Sequence, residues 1–80
     1  KVGETSLLFV GMERANAIAV YDITDPLNPV YLQWLNTVEA PEGLVFVPAN
    51  QSPSGKSLLI VSCEGDGAVM IFSTGGNISI

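Results

Sequence analysis

The sequence has no histidine. That removes Ser-His-Asp and Cys-His catalytic arrangements and every His-ligated metal site. Its single cysteine, Cys63, excludes an internal disulfide and any C-x-x-C metal or redox motif. With no basic residue beside it to favour the thiolate, Cys63 reads as a small buried hydrophobe in an apolar run. Lysine and arginine are scarce, three against eight acidic residues, for a net charge of −5. This balance opposes binding to nucleic-acid phosphates and anionic membranes. No apolar run approaches the about 18 to 20 residues of a membrane span. The opening KVGETS has neither the charged nor the apolar region of a signal peptide, so the expectation is a chain soluble as written or one whose targeting segment has been removed. S-P-S-G-K-S lacks the first glycine of a phosphate loop and follows no strand-to-helix unit. Only oxygen-ligand metals, such as Ca²⁺, are left by these exclusions.

What is present is a repeat. SLLFVGMERANAIAVYD, from Ser6 to Asp22, aligns without a gap on SLLIVSCEGDGAVMIFS, from Ser57 to Ser73, at an offset of 51 residues. Of the 17 positions, Ser6, Leu7, Leu8, Val10, Glu13 and Ala17 recur identically, and six more exchange one apolar residue for another. A period near 50 residues is that of a β-propeller blade.

Six short segments rich in Val, Ile, Leu and aromatics, each bounded by turn residues, read as strands: residues 7–12, 17–23, 30–35, 43–47, 58–63 and 68–72. A short seventh is expected at 78–80. Several are apolar on both faces, which requires cover on both sides, and no helical segment is available to supply it. Hydrophobic residues make up 48% of the chain and charged residues 14%, an apolar load that a domain of 80 residues buries poorly alone. E-R-A-N and E-G-D-G are tight links of hairpin size, with Asn16 or Gly67 available for positive φ. In Asp22-Ile-Thr-Asp-Pro-Leu-Asn-Pro29, Asp25 is placed to accept from the backbone ahead of it, and residues 50–56 read as an exposed loop.

The segments GMERANAIAVYDITDPLNPVYLQWLNT and PEGLVFVPANQSPSGKSLLIVSCEGDGAVMIF resemble the bacterial choice-of-anchor I family and the related LVIVD-type propellers, through the signature VYDITDPxxP. The resemblance spans nearly the whole chain. It implies a multi-bladed propeller of several hundred residues that is extracellular, periplasmic or attached to the cell surface, and some members are labelled alkaline-phosphatase-like. The expected fold is therefore all-β, with antiparallel four-stranded blades and roughly 1.75 blades in this chain. With residues 43–47 as an inner strand, residues 41–80 form one blade. Residues 1–40 form a partial blade lacking its inner strand. Expected partners are the remaining blades or further copies of the chain, with a protein or carbohydrate ligand on the loops.

Candidate functional residues are few. Glu13 and Glu64 hold equivalent repeat positions at the mouths of the two tight turns, where their carboxylates can face a cation. Asp66, two residues after Glu64, adds a carboxylate at calcium-loop spacing, although the full EF-hand pattern is absent. Glu42, in P-E-G, precedes the expected inner strand, where side chains face a propeller channel. These four form the candidate set for Ca²⁺ or another divalent cation, against the plainer reading of solvated turn acids. Asp22 and Asp25 make a similar pair that the turn already explains. Arg14 can hold an anion or join a surface ion pair, and Trp34 can pack between blades or anchor an interface. Asn50-Gln-Ser52 and Asn77-Ile-Ser79 fit glycosylation acceptors. No catalytic residue is assigned. Three functions follow: a binding or scaffold module, part of a metal-dependent phosphatase-like hydrolase with its site mostly outside this chain, or a Ca²⁺-stabilised structural repeat.

Overall fold

The computed structural model describes residues 1–79. It holds six strands: β1 (Leu7–Met12), β2 (Ala17–Asp22), β3 (Val30–Asn36), β4 (Pro41–Val47), β5 (Leu58–Cys63) and β6 (Ala68–Ser73). They form two antiparallel three-stranded sheets, ordered β1-β2-β3 and β4-β5-β6. The chain is all-β, and every strand lies within two residues of its sequence-based bounds. Val, Ile, Leu and aromatic side chains dominate these runs because they fit a pleated surface that is covered.

The two sheets pack face to face in a slab 34 × 31 × 17 Å. Stacked sheets lie about 10 Å apart, which matches a thin two-layer body. The shared core joins Ile18, Val20 and Leu35 of the first sheet to Leu59, Val61, Cys63 and Phe72 of the second. Phe9 stacks on Phe46 at 5.9 Å between ring centroids. Cys63 is 1% exposed, the buried hydrophobe its sequence context suggested.

The hairpin links repeat as geometry. Asn16 and Gly67, equivalent under the 51-residue offset, both take positive φ, 52° and 62°. The Asn16 N–H donates to the Glu13 carbonyl at 3.4 Å, and the Gly67 N–H to the Glu64 carbonyl at 3.3 Å. At the opposite ends of the hairpins, the Ile23 N–H donates to the Ser6 carbonyl at 2.8 Å and the Thr74 N–H to the Ser57 carbonyl at 3.0 Å. Asp25 Oδ1 accepts from the Leu27 N–H and Oδ2 from Asn28 Nδ2, so this aspartate forms the turn as its position implies.

Among the described residues the second sheet has three strands, where the sequence reading expected four. After β6 the chain turns through Gly75, whose φ is +76°, and Ile78 returns its N–H to the Ser73 carbonyl at 3.0 Å. Ile78 makes only an isolated bridge with Thr74 and is fully buried in the shared core. The Gln33 side chain of β3 holds this segment, donating to the Asn77 carbonyl at 2.7 Å and accepting from the Ser79 N–H at 3.1 Å. The segment is thus tied to the first sheet and does not extend the second. The last residue of the expected seventh strand, at position 80, lies outside the described residues.

Candidate acidic rim

The link between the sheets runs from Thr37 to Ala40 and is tied to both hairpins. Toward the first sheet, the Thr37 N–H donates to the Asn16 carbonyl at 2.8 Å and the Ala40 N–H to Asn16 Oδ1 at 3.0 Å. Toward the second, the Ala40 carbonyl accepts from the Glu64 N–H at 3.0 Å, and the Glu39 N–H donates to Asp66 Oδ2 at 2.8 Å. These bonds draw the Glu13 turn and the Glu64 turn to one rim. Gly65 is needed there because a Cβ at that position would sit 2.7 Å from the Cβ of Glu39.

Glu42 enters this rim through a β-bulge. Pro41 pairs with Cys63 and Gly43 with Ser62, which leaves Glu42 as an extra residue on β4. A bulge bends its strand and re-aims the side chain it carries. Gly43 follows because a Cβ there would collide with Ser62 Oγ, which accepts the Gly43 N–H at 3.1 Å.

The bulge sets Glu42 beside Glu64 and Glu13, and its carboxyl is pushed up to about 7. The largest cause is a carboxyl–carboxyl hydrogen bond with Glu64, which a protonated Glu42 can make and an ionised one cannot. Repulsion from the Glu64 charge comes next, followed by burial and the charge and hydrogen bonding of Glu13. Glu42 and Glu64 border an open cleft of about 330 Å³ that is also lined by Ser62, Cys63, Gly67, Ala68 and Val69. A carboxyl titrating near neutrality beside a second carboxylate can exchange a proton or accept a cation in its place.

The four sequence-predicted acids therefore divide. Glu13, Glu42 and Glu64 share the rim, whereas Asp66 uses a carboxylate oxygen to fix the sheet-to-sheet link. Among the described residues, no three His, Cys, Asp or Glu side chains gather in a geometry that could hold a metal ion. Asp22 and Asp25 are absorbed by their turn. The Thr24 hydroxyl and N–H beside Asp22 hold its carboxyl below the usual range. Trp34 is exposed on β3, its Nε1 donating to Asn36 Oδ1 at 3.2 Å, and Arg14 is exposed beside Glu13.

Sequence reasoning missed Asn16 Oδ1, the Gln33 clamp and the Glu42 bulge. Asn16 was legible as a positive-φ residue, but its side-chain partner lies 24 residues away. The only signal for the bulge was a glycine following Pro-Glu at the start of a strand.

Compared with protein-family models, with curated proteins and with solved structures, the chain matches none. Among the described residues, no helix is long and apolar enough to cross a membrane.

Proposed function

We propose that the chain is a unit of an extracellular or surface-attached β-propeller-type scaffold that binds a protein or carbohydrate partner and carries no catalytic centre of its own. One observation carries the reading. Under the 51-residue offset, β1 falls on β5 and β2 on β6. The two observed orders, β1-β2-β3 and β4-β5-β6, then merge into one unit of four: β4, β5 or β1, β6 or β2, and β3. Four antiparallel strands in sequential order are what a propeller blade contains. Each sheet supplies three of those positions, the first without the β4 place and the second without the β3 place. Face-to-face packing of the sheets supports stacked blades, and the VYDITDPxxP signature supports the location.

The test is a binding screen of the 80-residue chain against surface polysaccharides and surface proteins. It runs beside a phosphomonoester assay with and without Mg²⁺, Zn²⁺ and Ca²⁺. Saturable binding without turnover is expected. Metal-dependent hydrolysis would overturn the scaffold reading in favour of a phosphatase-like hydrolase. Melting in Ca²⁺ and in chelator separates the remaining alternative, because a cation bound only by the folded state must raise the melting temperature. No rise is expected for a scaffold.

A further inference from the structure

Both outward faces of the slab are apolar, and the repeat relates each to the face buried on the other sheet. Alternation and register put Leu7, Phe9, Ile18 and Val20 on the inner face of the first sheet, toward the second. Their equivalents, Leu58, Ile60, Val69 and Ile71, lie on the outer face of the second sheet. There Val69 and Ile71 are 66% and 60% exposed, and Val45, paired with Ile60 on the far side of β5, is 58% exposed. Conversely, the second sheet buries Leu59, Val61, Cys63 and Phe72 against the first. Their equivalents Leu8, Val10, Met12 and Tyr21 lie on the outer face of the first sheet.

The contact inside the molecule is therefore made by one kind of face meeting the other kind, and a second example of each is turned outward. We propose that a second copy of this chain docks the outer face of its first sheet (Leu8, Val10, Met12, Tyr21) onto the outer face of the second sheet (Leu58, Ile60, Val69, Ile71), repeating the internal interface. This rests on the stacked-blade reading above. The equivalent pairs match in chemistry: Leu8 for Leu59, Val10 for Val61 and Tyr21 for Phe72 on one side, and Ile60 for Phe9, Val69 for Ile18 and Ile71 for Val20 on the other. Met12 and Ala19 stand where the internal interface has Cys63 and Met70, so a larger side chain at one position is offset by a smaller one at its diagonal neighbour. None of these residues is charged, and Val69 alone among them shares the cleft that Glu42 and Glu64 border. Because the two faces differ, the contact is head-to-tail, and it closes into a ring or extends as a filament according to its rotation.

The experiment is light scattering with size exclusion over a concentration series, with far-UV circular dichroism on every sample. Wild type is expected to give masses rising above that of the 8.4 kDa chain. Leu8→Glu spoils only the docking face and Ile71→Glu only the receiving face. Each alone is expected to stay at one chain mass, and an equimolar mixture is expected to double it and stop there, since one intact face of each kind remains. A folded wild type at one chain mass throughout would overturn the docking while leaving the binding screen to judge the scaffold reading. Self-association of either variant alone, or a mixture that stays at one chain mass, would also overturn it.

Discussion

Leu8 and Leu59 are the same residue at the same place in the repeat, yet Leu8 is 45% exposed and Leu59 is 1% exposed. Ile18 and Val69 invert the pattern, the first fully buried and the second on the surface. The two hairpins are alike in strand length, pairing and turn geometry, and opposite in the face each buries. Burial here is a property of position in a stack. Each sheet is apolar on both faces, and the neighbouring sheet selects the face that leaves water.

The largest expected effect breaks this equivalence directly. Leu59→Ala empties a packed core site and is expected to cost about 2–5 kcal/mol, whereas Leu8→Ala, on the surface, is expected to cost less than about 1 kcal/mol. Ile18→Ala and Val69→Ala should show the same asymmetry with the sheets exchanged. Urea denaturation at a concentration low enough to give one chain mass measures all four, because docking of a second copy would cover Leu8 and Val69 and make apparent stability concentration-dependent. Equal costs at Leu8 and Leu59 would mean that the first sheet is covered as fully as the second.

Smaller effects probe the turns, where the regions are alike in backbone and differ in side chain. Gly67→Ala keeps the chain's path and places a Cβ at positive φ, at an expected cost of about 1–2 kcal/mol. Asn16→Gly retains the φ and loses only the bond to the Ala40 N–H, at about 0.5–1.5 kcal/mol. Thermal unfolding should rank them in that order. A larger loss at Asn16 would show that the sheet-to-sheet link depends on its side chain more than on the turn.

The smallest effect is at the rim between the regions. Glu42 titrates near pH 7 in the folded chain and near 4.5 when free of its neighbours, so the folded state holds the proton more tightly. Its contribution is fully present below about pH 4.5 and is lost as pH rises toward 7. Glu42→Gln is expected to flatten that part of the stability profile, measured as melting temperature against pH. An unchanged slope would separate Glu42 from Glu64 and Glu13.

The strands were legible because β-branched and aromatic runs between turn residues report their own local structure. Asp25, Asn16 and Gly67 were legible for the same reason, since each acts within two or three residues of itself. The bond from the Glu39 N–H to Asp66 Oδ2 was not legible, because the two residues lie 27 apart in the chain. Glu42 stands out in the sequence by its place before the expected inner strand, but its pairing with Glu64 and Glu13 depends on a bulge that sequence alternation does not encode. The expected fourth strand of the second sheet is not seen among the described residues, where Ile78 takes a place in the core and the Gln33 side chain holds the residues on either side of it.

By itself the sequence determined six strands, two hairpin turns of one design and a 51-residue correspondence between them, because these follow from steric preferences along neighbouring residues. Tertiary structure alone decided which apolar face each sheet buries, that three carboxylates meet at one rim, and that the residues after β6 join the core. Those outcomes depend on surfaces meeting across the sheet-to-sheet interface, and strands apolar on both faces carry no local mark of which side that will be.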